Sequence, residues 1–389
     1  MSDGSPASLD WIRTLIGFDT TSRDSNLDLI NRVKDYLSSL GVASTLVFDD
    51  EKRKANLYAT LGAPDRPGIL LSGHTDVVPV DGQEWHSDPF QTVEKGGRLY
   101  GRGTCDMKSF IAVCLTFAPK LLARGLKTPI HFAFSYDEEV GCIGVRRLID
   151  MVNGLGVKPK MCIVGEPTNM QVTIGHKGKH SYRVRTRGLE AHSSLAPAGV
   201  NAIEYAAEAV AYLKGMARRI AADGPFDALY DVPHSTVHTG TIRGGTALNI
   251  VPKDCTFDFE FRYLPEIGHE DYFSEFDTYV RETLEPQMHA VDRSTGFTIE
   301  ELSSIPGLNM DPGEEVVTFA KSLAGRNDHG KVAFGTEAGL FQQRGGIPTV
   351  VCGPGSVDQA HKPNEFVSLE QIEKCERFME KLMDHVCGR

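Results

Sequence analysis

The chain has 389 residues, 41% hydrophobic and 24% charged, with a net charge of −11. That length exceeds one ordinary core, so two domains are expected, and the acidic balance excludes a general nucleic-acid binder as the first reading. No window approaches the roughly 20 apolar residues of a membrane helix, and "MSDGSPASLDWIRTLIGFD" lacks a basic stretch followed by an apolar one, so neither a membrane nor secretion is expected and the cytoplasm is.

In chain order, "LDWIRTLIGF" and "LDLINRVKDYLSSLG" have helical periodicity, with Gly41 placed to end the second. "ANLYATLG" and "PGILLSGH" read as strands; the second is nearly all apolar, which predicts burial on both faces. "SFIAVCLTFAPKLLARG" predicts a buried helix ending at Gly125, and "IHFAFSYD" and "MCIVGE" predict two more buried strands. The alternation predicts an α/β domain with a mixed, largely parallel sheet flanked by helices. Near residue 180 the pattern changes, and "HSYRVRTRG" alternates like a strand with one wet face. The helix "NAIEYAAEAVAYLKGMARRI", strands "STVHTGTIRGG" and "CTFDFEFRYLP", a helix "EDYFSEFDTYVRETLEP" and a strand near "FTIEELSSI" complete a β-α-β-β-α-β order. That is the split-βαβ (ferredoxin-like) plan of a small α+β domain. The α/β rhythm returns with "GEEVVTFAKSLAG", "GIPTVVCGPG" and a closing helix from Leu369. The expected boundaries are therefore 1–178 and 307–389 for a discontinuous larger domain and 179–306 for an inserted one. The alanine-rich face of the long inserted helix suits close packing, either between subunits or against its own sheet. The eight cysteines show no C-x-x-C pair or zinc-finger spacing and read as reduced thiols, most of them small core residues.

Chemistry concentrates where the predicted parallel strands end, the edge at which open α/β sheets build their sites. "GILLSGHTD" delivers His74 and Asp76, which share a strand face. "GRGTCDMK" presents Asp106 before a helix, "SYDEEVG" presents Asp137, Glu138 and Glu139, "MCIVGEP" presents Glu166, and "CGPGSVDQAHKPNE" presents His361. Singly, such residues are N-caps, solvated turns or structural histidines. Together, two imidazoles and several carboxylates at one sheet edge suit a divalent metal, zinc or a near neighbour. "GRGTCD" mimics a dinucleotide-binding loop, but Asp106 stands where its third glycine belongs, and neither an H-E-x-x-H helix nor a G-x-S-x-G elbow occurs.

The motifs "GHTDVVP", "GRGTCDMK", "SYDEEVG", "GEP" and "AHKPNE", in this order and spacing, resemble the di-zinc amidohydrolases and peptidases that include acetylornithine deacetylases, succinyl-diaminopimelate desuccinylases and glutamate carboxypeptidases. The resemblance covers essentially the whole chain. It implies two Zn2+ per subunit, replaceable by Co2+ or Mn2+, with Asp106 bridging them, His74 and Glu166 completing one set of ligands and Glu139 and His361 the other. It implies Asp76 as the acid that steadies a ligand histidine, Glu138 as general base and acid acting on a metal-bridged water, and His192 as oxyanion stabiliser reaching in from the other subunit of a homodimer built through the inserted lid domain. Asn249, Arg262, Gly335, Thr336, Glu337, Gly353, Gly355 and Ser356 are the implied substrate contacts, the glycine-rich turns through backbone N–H groups. "GTEAGLF" is similar to the deacetylases, which implies hydrolysis of N2-acetyl-L-ornithine to ornithine and acetate, an arginine-biosynthetic step, with Glu337 meeting the substrate ammonium. A desuccinylase or a broad aminoacylase or carboxypeptidase is the alternative, and a non-catalytic binding relative is the remote one. Asp137 is expected to support the loop, bonded to its backbone or to a ligand.

Overall fold

The computed structural model describes residues 6–388; the first five residues of the N-terminal stretch considered above lie outside the described residues. The chain forms two compact units. One comprises residues up to Gly175, Leu308–Lys331 and everything from Thr336 onward; the other comprises His176–Gly307 with Val332–Gly335.

The first unit is organised by six strands: β1 (Ser44–Phe48), β2 (Ala55–Leu61), β3 (Ile69–His74), β4 (Ile130–Ser135), β5 (Met161–Pro167) and β6 (Thr349–Gly353). They lie in the order β1-β2-β4-β3-β5-β6. β3 runs parallel to β4 and β5, and β6 parallel to β5, while β2 is antiparallel to both β1 and β4. The sheet is thus mixed, with a parallel centre. Every residue of β3, β4, β5 and β6 is buried, which is why their sequences run apolar instead of alternating. Register then fixes the rim. His74 pairs with Ser135, so the acids that follow β4 emerge beside the end of β3.

The helix Lys108–Arg124 is buried on nearly every side, and it lies unusually close to the sheet. A Cβ at Gly165 of β5 would sit 2.0 Å from the Phe110 ring, and one at Gly73 of β3 would sit 2.8 Å from Met107 Cε. No side chain fits between, so the two glycines set the height of the helix start over the ends of β3 and β5. Asp106 precedes that start and is delivered to the same rim. Seven of the eight cysteines are buried, as small core residues.

The second unit is a four-stranded antiparallel sheet in the order Thr236–Gly244, Asp254–Tyr263, Gly178–Arg187, Gly296–Ile305. Strict burial alternation along Gly178–Arg187 and Asp254–Tyr263 puts Val184, Phe257, Phe259 and Phe261 into a core with Ala202, Ala206, Ala209 and Leu213 of the helix Ala202–Asp223. The alanine face left open by the sequence therefore covers its own sheet. The single helix expected over "EDYFSEFDTYVRETLEP" is Glu270–Tyr279, a π turn Val280–Leu284, then Glu285–His289. The widened turn sits immediately before Pro286, whose ring clashes with the carbonyl four residues back in a regular helix.

Candidate metal centre

Asp106 is the middle of the site, and its two carboxylate oxygens face different imidazoles. Oδ1 is 3.0 Å from His74 Nε2, and Oδ2 is 3.3 Å from His361 Nε2. His74 Nε2 lies 3.7 Å from Glu166 Oε1, and His361 Nε2 lies 3.0 Å from Glu139 Oε2. Five side chains from five separate segments thus form two adjoining donor groups that share one carboxylate. Glu138 also brings an oxygen within 4.8 Å of donor atoms of His74 and Glu166. His74, Asp106 and Glu166 are buried, whereas the His361 side chain is 56% exposed, so the centre opens on the His361 side.

The surrounding bonds explain the aim of these groups. His74 Nδ1 is 2.9 Å from the Asp76 carbonyl oxygen, which turns Nε2 toward Asp106. The Asp76 carboxylate accepts the backbone N–H of Glu138 at 3.1 Å through Oδ1 and that of Glu139 at 3.3 Å through Oδ2. Ser22 Oγ donates to the same Oδ2 at 2.7 Å. Cys142 Sγ donates to Glu138 Oε1 at 3.3 Å. Asp137, with φ of 55°, points away from the other two acids and pairs with Lys54 Nζ at 2.5 Å. The bond expected from the sequence is to loop backbone or to a ligand; the lysine is a partner the sequence alone does not single out.

Burial and mutual repulsion disfavour the anionic form of most of these carboxyls. Burial pushes the Glu139 carboxyl up to about 7, with Asp106 adding to the effect. Burial likewise raises Glu138 and Glu166 well above the ordinary carboxylate value. Burial also opposes the Asp106 anion, but hydrogen bonds to His361 and His74 outweigh it and hold that carboxyl low. Hydrogen bonds to Asp106 and Glu139 lift the His361 imidazole to about 10. Four carboxylates and two imidazoles crowded in this way form a hard and borderline N/O donor set of the kind that could hold divalent cations.

The remaining expected site residues are spread over both units. In the second unit, His192 is exposed and its Nδ1 is bonded to Ser194 Oγ at 2.8 Å. Arg262 pairs with Glu260 at 2.9 Å, and Asn249 accepts the Ser193 N–H through its main-chain oxygen; Gly335 also belongs to this unit. In the first unit, Thr336 Oγ1 accepts the Ala338 N–H at 3.1 Å. Glu337 is 1% exposed; its Oε1 accepts from Ser135 Oγ at 2.5 Å, and its Oε2 has no hydrogen-bond partner among the described residues. Burial pushes its carboxyl up to about 7. The N–H groups of Gly353 and Gly355 donate to Thr168 Oγ1 at 3.2 Å and Gln371 Oε1 at 3.3 Å. Gly353 is also needed for space, because a Cβ would meet the Gly165 carbonyl at 2.0 Å. Ser356 Oγ accepts the Asp358 N–H at 3.3 Å. Sequence reasoning passes over Ser22 and Lys54, since nothing local marks a residue whose partner is distant in the chain, and over Cys142, which follows the acidic motif.

Residues 70–385 match peptidase family M20/M25/M40. The chain belongs to that family. It is 34% identical over 378 residues to the acetylornithine deacetylase of Pasteurella multocida (strain Pm70), covering 96% of this chain and 95% of that one. Among solved structures it resembles an M20-family metallo-carboxypeptidase from Sulfolobus solfataricus, with a TM-score of 0.77 at 18% identity and 100% of both chains covered. It also resembles a Bacillus subtilis protein described as a dinuclear metal-binding peptidase of the M20 family, with a TM-score of 0.69 at 14% identity and 97% of each chain covered. As an M20-family protein the chain is a hydrolase, and its donor set occupies the rim where the matched segment brings the ends of β3, β4, β5 and β6 together. No helix among the described residues is long and apolar enough to cross a membrane.

Proposed function

We propose that this M20-family hydrolase cleaves the amide of an N-acyl amino acid, with N2-acetyl-L-ornithine as substrate and ornithine and acetate as products. The observation that carries the reaction class is Asp106, one oxygen toward His74 and the other toward His361. The choice of substrate is supported by the likeness to a deacetylase over 96% of the chain. His74, Asp106 and Glu166 would hold one ion and Asp106, Glu139 and His361 the other; zinc suits these donors, and cobalt(II) or manganese(II) would substitute. Bound there, the ions supply Lewis acidity, polarising a carbonyl and lowering the pKa of water.

The protein's own groups do the rest. Glu138 is the proton carrier, taking a proton from water and returning one to the leaving amine. Its main chain is fixed by Asp76 and its Oε1 by the Cys142 thiol. Asp76 holds His74 in the orientation that presents Nε2. His192 stabilises the developing oxyanion from a partner subunit, and Arg262 and Asn249 receive the substrate carboxylate. The second unit serves as lid and dimerisation domain. In support, the strand Thr236–Gly244 is a sheet edge with Ile242 50% exposed, and Leu248 stands fully exposed in the loop that follows. Light scattering is expected to give twice the chain mass of 42.6 kDa; a mass of one chain at micromolar concentration removes the dimer and with it the role of His192.

Glu337 is proposed as the partner of the substrate's side-chain ammonium, supported by its orphaned Oε2 and opposed by its burial behind Ser135. A panel of acetylornithine, acetylmethionine and succinyl-diaminopimelate on zinc-loaded protein tests the substrate. Acetylornithine is expected to have the highest kcat/KM, and Glu337→Gln is expected to raise KM for it about tenfold or more while leaving acetylmethionine nearly unchanged, as for loss of one charge-assisted hydrogen bond. A preference for the succinyl substrate sinks the deacetylase reading. Equal effects of Glu337→Gln on both acetyl substrates leave Glu337 with a structural role only.

A further inference from the structure

We infer that a buried ion pair, Arg102–Glu365, with Gln83, acts as a positioning device that sets Asp106 and His361 against each other; this rests on the metal-centre reading above. Arg102 and Glu365 are each 1% exposed, and Arg102 Nη1 lies 2.6 Å from Glu365 Oε2. The other carboxylate oxygen, Oε1, accepts the backbone N–H of Cys105 at 2.8 Å and of Asp106 at 3.0 Å. On the opposite side, Arg102 Nη2 donates to Gln83 Oε1 at 2.7 Å, and Gln83 Nε2 donates to the His361 carbonyl at 3.0 Å. Arg102 Nη1 also reaches the Lys362 carbonyl at 3.4 Å. His361 needs such a hold, because its backbone has φ of 62°, a conformation few non-glycine residues adopt.

A stability role does not account for the pair. Desolvating two charges costs about as much as their attraction returns, and Arg102 Nε has no hydrogen-bond partner among the described residues. What the arrangement does achieve is geometric. One carboxylate grips the main chain of Asp106, and one guanidinium reaches, through Gln83, the main chain of His361. Two segments more than two hundred residues apart in sequence (106 and 361) are thereby fixed to the same buried charges. These bonds reach Asp106 and His361 at their main chain, so the three side chains act through the backbone of residues that carry donor atoms.

The test titrates metal-stripped wild type, Gln83→Ala and Glu365→Gln with zinc against a competing chelator, and records the visible spectra of the cobalt(II) forms and the Tm of the stripped proteins. Both variants are expected to stay folded. Zinc affinity is expected to fall about 10–100-fold in Glu365→Gln and by a smaller factor in Gln83→Ala, with shifted cobalt bands in both. Unchanged zinc affinity and cobalt spectra in folded variants overturn the inference. A wild type that takes up no zinc overturns the metal-centre reading itself. If Glu365→Gln fails to fold, the half-buried Gln83→Ala decides by the same criteria.

Discussion

Glu138→Gln is expected to bind two divalent ions as wild type does and to lose about 10²–10⁴-fold in kcat, the range for removal of a general acid–base group. The substitution preserves shape. The main-chain N–H still reaches Asp76 Oδ1, and a glutamine oxygen still accepts from the Cys142 thiol. What disappears is the capacity to carry a proton. Two other outcomes are informative. If the variant loses an ion, Glu138 is a ligand, which its closeness to the His74 and Glu166 donor atoms would allow. If it keeps both ions and full kcat, proton transfer runs through another group and the mechanism above fails. Metal analysis and steady-state kinetics on one preparation separate the three cases.

Asp106→Asn is expected to have the larger effect on metal content. The carboxylate faces His74 through one oxygen and His361 through the other. An asparagine keeps one neutral acceptor and turns an NH2 group toward the second position, where a cation cannot be tolerated. At least one ion is expected to be lost, and activity to fall more than about 10³-fold, since each 1.4 kcal/mol of lost stabilisation is tenfold and a Lewis-acidic metal supplies several kcal/mol. The check is metal stoichiometry by mass spectrometry after dialysis. A variant that retains two tightly bound ions and a tenth of the activity shows that Asp106 does not bridge.

Much of the rim was readable from sequence because buried parallel strands announce themselves. "ILLSGH", "IHFAFS" and "MCIVGEP" are continuous apolar runs that end in polar residues, and each ends where the sheet ends. The second unit was readable for the opposite reason, the strict alternation of "YRVRTR" and "CTFDFEFRY". Other elements resisted. β1, "STLVF", has no residue fully buried and hence no clean pattern. The strands Val93–Lys95, Arg98–Tyr100 and Phe366–Ser368 are three residues each, too short for any period to show. The helix Gly144–Asn153 was legible in principle, since Val145, Leu148, Ile149 and Val152 give helical spacing, and all four are buried. Within the site, the donor residues stand in recognisable motifs, and so do Asp76, Arg102 and Glu365, but the contacts these supports make are not legible there. Ser22 reaches Asp76 and Glu365 reaches Asp106 across stretches of chain that carry no mutual signal. The acceptors that Gly353 and Gly355 have here, Thr168 and Gln371, come from other segments and carry no local signal either.

The Asp76 carboxylate, which accepts two consecutive N–H groups, has a mechanical consequence. Glu138 and Glu139 are neighbours on one chain, yet in the proposed mechanism the first carries a proton while the second holds an ion. Ordinarily, motion of a side chain tugs on the peptide plane next door. Here both planes are bonded to the same buried acid, itself tied down by Ser22. Glu138 can therefore swing about its own side-chain bonds without that swing reaching Glu139. The two backbone anchors thus separate the side-chain freedom of one residue from the placement of the next.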